Sequence, residues 1–133
     1  MKNRVDLKMT AKELGNYGEK IAALYLEKKG YHILARNFCV KGGEIDIIAE
    51  KDGFIAFVEV KTRTPDYLVG GLEAVNYRKR RLIIRTSEQY SIRHPHDLQP
   101  RFDIVEIIID GRKVVGFNYI ENAFDASDIM TIL

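Results

Sequence analysis

The stretch GEIDIIAEKDGFIAFVEVKTR, residues 43–63, decides how this chain folds on paper. Two runs rich in Ile, Val and Phe, Glu44 to Glu50 and Phe54 to Lys61, flank Asp52-Gly53, a dipeptide favoured in two-residue hairpin turns because both residues tolerate positive φ. If those two residues form the turn, Lys51 pairs with Phe54. Counting outward then sets Asp46 across from Glu59 and Glu44 across from Lys61. Opposed residues share a face, so these four polar side chains point one way, with Ile48, Ile55 and Phe57 beside them nearer the turn. Ile45, Ile47, Ala49, Phe54, Ala56, Val58 and Val60 form the other face. That face is apolar and expected to be buried, which fixes the register against a one-residue slip.

Two carboxylates directly opposed, with Cβ atoms about 4.5–5.5 Å apart, repel one another unless something positive sits between them. A hard divalent cation, Mg2+ or Mn2+, takes oxygen ligands and keeps several waters. Asp46, Glu59 and a substrate phosphate therefore make a reasonable shell for one. Such an ion polarises a phosphoryl group and lowers the pKa of an attacking water. Lys61, two residues beyond Glu59 on the same face, is placed to hold that water or to balance charge on a pentavalent phosphorus. Glu59 and Lys61 are also readable as surface ions on a solvated sheet face, paired with Glu44 and each other. Against that, half-buried unpaired carboxylates are costly without a functional reason.

Outward from the hairpin, Thr10 and Glu13 have capping-box spacing, and Leu14, Tyr17, Ile21, Leu24 and Tyr25 recur at helical intervals before Gly30. A helix is expected over residues 10–29, with Gly15 a site for a kink. Tyr31 to Val40 reads as an edge strand, its pattern broken by His32, Arg36 and Asn37. Thr62 to Ala74, with Pro65 and Gly70-Gly71, reads as a loop. Asn76 caps a second helix to about Ser91, with Leu82, Ile83, Thr86 and Tyr90 on one side, and Pro95 closes that region. Arg101 to Asp110 and Lys113 to Ile120 pair around Asp110-Gly111. The order is α-β-β-β-α-β-β, followed by a tail whose apolar residues Phe124, Ile129, Met130, Ile132 and Leu133 cover either the core or a partner.

Composition bounds the rest. With 133 residues, 46% hydrophobic and 30% charged, residues 1–133 fit a single globular domain with a full core. Cys39 has no partner for an intramolecular disulfide, no run approaches the roughly 20 apolar residues that cross a bilayer, and MKNRVDLKMT has no signal-like apolar segment. A cytoplasmic protein is expected. A net charge of +2 does not by itself announce a nucleic-acid binder. Arg78, Lys79, Arg80, Arg81 and Arg85 crowd one segment, however, as either a phosphate-neutralising surface or a solvated helix face. His94 and His96 flank Pro95 in a polar loop, and no Gly-rich phosphate loop with lysine is present.

Gly43-Glu44-Ile45-Asp46 followed by Phe57-Val58-Glu59-Val60-Lys61-Thr62-Arg63 resembles the acidic core of the PD-(D/E)xK nuclease superfamily. Gly18-Glu19 with Ala22 and Leu26, Gly30-Tyr31 with Ile33 to Asn37, Arg101-Phe102-Asp103 and Asn122-Ala123-Phe124 narrow the likeness. Together they resemble the uncharacterised bacterial YraN-like family, over about residues 14–124. The resemblance implies an α/β restriction-endonuclease-like fold, a mixed central sheet flanked by helices, kin to Holliday-junction resolvases. It implies a divalent-metal-dependent endonuclease acting on DNA, with branched or damaged structures as candidate substrates. Asp46 and Glu59 would hold the metal and Lys61 would handle the water. Glu19 matches the first-helix acid of related nucleases, though it is equally an acid favoured near a helix start. Lys79 matches the basic or amide position on their following helix, though it is equally a surface lysine. Arg63, Arg80 and Arg81 would engage the DNA backbone, and related nucleases often act as homodimers. Ile45, where the superfamily name has proline, is a departure, and Pro65-Asp66 is a decoy in the loop. The alternative is a nucleic-acid-binding or partner-docking module that keeps the scaffold with little or no hydrolytic activity.

Overall fold

Asp52 and Gly53 sit at φ 51° and 85°, the two left-handed residues that a type I′ turn demands. They close β2 (Gly43–Lys51) onto β3 (Phe54–Arg63), with Lys51 opposite Phe54 as the turn chemistry requires. The computed structural model describes residues 9–66 and 75–127. The expected loop therefore falls partly outside the described residues, as do Ile129, Met130, Ile132 and Leu133. The remaining elements are α1 (Ala11–Lys28), β1 (His32–Val40), α2 (Tyr77–Arg93), β4 (Gln99–Asp110) and β5 (Lys113–Phe124). They give a mixed five-stranded sheet in the order β1-β2-β3-β4-β5, antiparallel except where β3 runs parallel to β4. The parallel pair is joined through α2, because two parallel strands cannot be connected by a tight turn.

One helix covers each face. Thr10 Oγ1 accepts from Glu13 N at 3.1 Å and Glu13 returns the bond at 2.9 Å, so α1 starts at a complete capping box and passes Gly15 unbroken. Its Ala22, Ala23 and Leu26 lie on Ile47, Ala49, Ala56, Val58, Val105, Ile107 and Ile109. Alanines on both sides bring helix and sheet close together. Asn76 caps α2 by accepting from Lys79 N at 3.0 Å. This helix lays Ile83, Ile84 and Tyr90 on Ile45, Ile48, Ile55, Phe57, Phe102 and Ile104. Each fully buried Ile or Phe contributes about 1.5–3 kcal/mol. No helix among the described residues is long and apolar enough to cross a membrane.

Four expectations need correction. Leu82 was expected on the buried side of α2 but is 37% exposed, while Ile84 is buried; the apolar arc is centred further round the helix. Phe54, at the mouth of the hairpin turn, is 39% exposed and lies under the Arg101 guanidinium instead of in the core. The β4–β5 turn is Gly111-Arg112, since Asp110 pairs with Lys113; Gly111 takes φ 69° at the first central position, where glycine costs nothing. Ile45 packs under α2 with Ile48, whereas Ile47 packs under α1, so the alternation of β2 breaks at Asp46. Opposite this break, Asn37 of β1 is left-handed at φ 51°, and both strands leave the regular pleat together.

At the other edge a buried polar cluster ties β4 to β5. Asp103, with no exposed surface, accepts from Arg101 Nε at 3.0 Å, from Tyr119 Oη at 2.5 Å and from Asn122 N at 2.9 Å. Arg101 also donates to Tyr31 Oη, just beyond α1. Asn122, left-handed at φ 55°, turns the end of β5 so that Phe124 stacks on Phe102 at 5.3 Å and covers the core. Removing Asp103 takes the main ion pair from a part-buried guanidinium and leaves two further donors, Tyr119 Oη and Asn122 N, without their acceptor. Asp103→Ala is expected to lower unfolding stability by about 3 kcal/mol in denaturant titrations; a loss under 1 kcal/mol would show that the cluster is not a structural tie.

Candidate functional site

The β2–β3 ladder continues from Lys51↔Phe54 to Ile47↔Val58 and stops there. Asp46 and Glu59, and Glu44 and Lys61, are therefore not ladder partners, contrary to the count outward from the turn. In place of the next backbone bond, Asp46 Oδ2 accepts the Val60 N–H at 2.7 Å. The carboxylate itself occupies the gap between the two strands. Asp46 is 7% exposed and Glu59 4% exposed, so both acids sit away from bulk water.

Four elements converge on this gap. Glu59, from β3, faces Lys79 Nζ of α2 at 3.0 Å and Lys61 Nζ at 3.7 Å. Lys79 reaches it because the Asn76 cap fixes the first turn of α2 over the end of β3. From α1, Glu19 lies within hydrogen-bonding reach of Asp46 and of Asn37, and its Oε1 is buried without a partner. From β1, Arg36 adds a positive charge beside Glu19. Two glycines permit the close approach. A Cβ on Gly18 would sit 1.9 Å from Thr62 Oγ1, and one on Gly43 would sit 2.1 Å from Thr86 Oγ1. Side chains at these positions would lever the helices off the strands that carry the acids.

Burial, then the negative charge of Glu59, pushes the Asp46 carboxyl up to about 8; the Val60 N–H opposes this, and Glu19 and Glu44 add to it. Burial raises Glu19 as well, against the pull of Arg36 and of its hydrogen bonds. Lys79 has the opposite balance. Burial would lower its pKa, but the charge of Glu59 and the bond to it outweigh that, so it stays above its ordinary value. Among the described residues, no three His, Cys, Asp or Glu side chains form a ready metal cage. The donors are nonetheless all carboxylate oxygens, one buried and unpartnered, one holding a proton that a cation would replace. In kind they fit a hard divalent ion that draws its remaining ligands from water or substrate.

Asp46, Glu59, Lys61, Glu19 and Lys79 are thus gathered in one place. The three arginines expected on a DNA backbone are not. Arg63 is 8% exposed and faces Glu106 at 3.3 Å. Arg80 donates to the Val75 carbonyl at 2.7 Å and lies over Phe124 and Tyr77; only Arg81 stands exposed. Spacing placed Arg63 and Arg80 beside basic neighbours but could not foresee these partners. Asn37, Arg36 and Glu44 were not assigned to the site; Asn37, an anomaly in a strand pattern, was the available signal. His96 accepts from Leu98 N and meets Ser91 Oγ at 2.9 Å, and His94 packs on Tyr90, as structural residues do.

The model of the uncharacterised protein family UPF0102 matches residues 18–107. That stretch contains every motif of the YraN-like resemblance except Asn122-Ala123-Phe124. The chain is 45% identical over 115 residues to the UPF0102 protein of Clostridium acetobutylicum, covering 85% of this chain and 94% of that one. A UPF0102 protein of Caldanaerobacter subterraneus is 45% identical over 120 residues, covering 88% and 98%. One from Alkaliphilus metalliredigens is 45% identical over 117 residues, covering 86% and 99%.

The raised carboxyl of Asp46 makes a pH prediction. Below about pH 4 it is protonated whether the chain is folded or not; between there and pH 8, unfolding releases its proton, so folding stability falls as pH rises. Asp46→Asn cannot ionise and escapes this loss. In chelator-treated protein the variant is expected to gain on the parent between pH 5 and 8, by up to about 1 kcal/mol per pH unit. A difference that does not change with pH in denaturant titrations would refute the shift.

Proposed function

Since the chain belongs to the uncharacterised protein family UPF0102, whose matched stretch spans the whole acidic gap, we propose that it is a divalent-metal-dependent DNA endonuclease of restriction-endonuclease-like fold within the PD-(D/E)xK superfamily. One observation carries this reading. A buried aspartate replaces a sheet hydrogen bond beside a buried glutamate, with two lysines at the same place. Carboxylates so arranged cost stability in the metal-free protein, as expected of groups kept for chemistry.

Asp46 and Glu59 would hold Mg2+ or Mn2+. When bound, the ion supplies a polarised phosphoryl oxygen and a more acidic water. Lys61 Nζ, 3.7 Å from Glu59, stands where an ammonium can orient the attacking water or balance charge on the phosphorus. Lys79 neutralises Glu59 from the helix side, and with 41% of its side chain exposed it can also meet a substrate phosphate. Glu19, with its free Oε1, is the acceptor available for a proton from that water. A homodimer would set two such centres against a symmetric branched substrate. A second reading, a nucleic-acid-binding or partner-docking module with little or no hydrolysis, is favoured by the lysine already seated on Glu59, with no ready three-acid cage among the described residues.

Calorimetric titration with Mn2+ is expected to give one weak site that Asp46→Ala abolishes; equal uptake by parent and variant would overturn the metal assignment. On linear, flapped and four-way DNA with Mn2+, the parent is expected to cleave and Lys61→Ala to be slower by about 100-fold or more. Metal binding by a parent that cleaves none of the three would leave the second reading standing.

A further inference from the structure

Beyond its first turn, α2 does something else. With the β1–β2 turn it encloses a groove of about 470 Å3, Val40 and Lys41 on one wall and Leu82, Arg85, Gln89 and Arg93 on the other. The groove adjoins the acidic gap through Gly43, where strand and helix touch at Thr86, with Glu44 and Asp46 next along β2. Its charge is one-sided. Within α2, the six basic residues Arg78, Lys79, Arg80, Arg81, Arg85 and Arg93 stand against a single acid, Glu88, which lines the groove beside Arg85 and Arg93. Arg81, Arg85, Gln89 and Arg93 follow one another at intervals of four residues, a single ridge along the helix with about 6 Å between neighbours. Lys41, Arg81 and Arg85 are exposed, and none makes an ion pair among the described residues. In a chain with 21 basic and 19 acidic residues, this local excess of exposed positive charge offers an anionic partner a complementary surface.

We propose that this groove holds the sugar-phosphate backbone of a double-stranded DNA arm flanking the bond to be cut. The assignment deepens, and rests on, the nuclease reading of the adjoining gap. A row of guanidiniums with an amide suits successive phosphates, which arginine grips in bidentate fashion. Among the described residues no aromatic ring lines the groove, whereas single strands are held on stacking platforms. Contacts from these side chains to phosphates carry no base information, so binding through them is independent of sequence. From Lys79 at the acids to Arg93 at the far end the helix rises about 21 Å, the length of about six base pairs.

The test is fluorescence anisotropy of labelled DNA with chelator present, so that binding is read without cleavage. Combined Lys41→Ala, Arg85→Ala and Arg93→Ala substitution is expected to weaken duplex binding about 10- to 100-fold near 0.1 M salt. The plot of log affinity against log salt should become shallower by about two to three, one per lost phosphate contact. Because Arg93 lies over the Phe38 ring, Lys41→Ala with Arg85→Ala alone serves as the second variant, with a slope change of about two. If the parent never cleaves DNA yet loses affinity with the groove substitutions, the nuclease reading fails and the groove assignment holds. Unchanged affinity and slope in both variants would overturn the groove assignment even if the protein cleaves, as would single strands bound as tightly as duplex of equal length.

Discussion

The bond from Val60 N–H to the Asp46 carboxylate is the constraint on which the site depends. A sheet hydrogen bond has been given up to a side chain, and at that point β2 and β3 cease to be a ladder. Everything nearby accommodates this break: the left-handed Asn37 across from it, the transfer of Ile45 to the α2 side, and the two glycines that let strand and helix close in. A backbone that stayed regular would leave no gap for an acid. A gap without an acid would leave a buried N–H unpaired.

Much of this was legible in the chain. Asp52-Gly53 announced both the turn and the register for the five pairs nearest it, and the Thr10 and Glu13 pair announced where α1 begins. What could not be read were the departures from regularity. Hydrophobic alternation assumes a pleat, so it put Ile45 beside Ile47 and carried the ladder on to Asp46 and Glu59. Periodicity likewise cannot see who meets a long side chain. Arg63 looked available for phosphate until the parallel neighbour β4 presented Glu106, and Leu82 looked internal until the β1–β2 turn left a groove beside it.

The electrostatics of the gap follow from its position between layers. The α1 side contributes Glu19 and the α2 side Lys79, so the sheet acids are held between a helix that adds negative charge and one that removes it. The proton kept by Asp46 and the ammonium on Glu59 are two local answers to the same excess of buried negative charge. The residues 18–107 matched by the UPF0102 model run from Gly18 beside Thr62 through the whole of α2 to the middle of β4, and so contain every side chain of that arrangement.

The parallel pairing of β3 with β4 has a consequence for how the molecule assembles. Phe54 and Gln99 are aligned in that pair although about 45 residues separate them, and all ten registered positions share that separation. During synthesis α1, β1, β2 and β3 leave the ribosome first. Until α2 has crossed over and β4 has docked, β3 ends the nascent sheet with Ile55, Phe57 and Val58 beside an open row of amides. Loop-closure entropy delays that docking. The innermost strand of the finished sheet is thus the most exposed to wrong partners while the chain is young, and destabilising α2 would lengthen that interval without touching the strand itself.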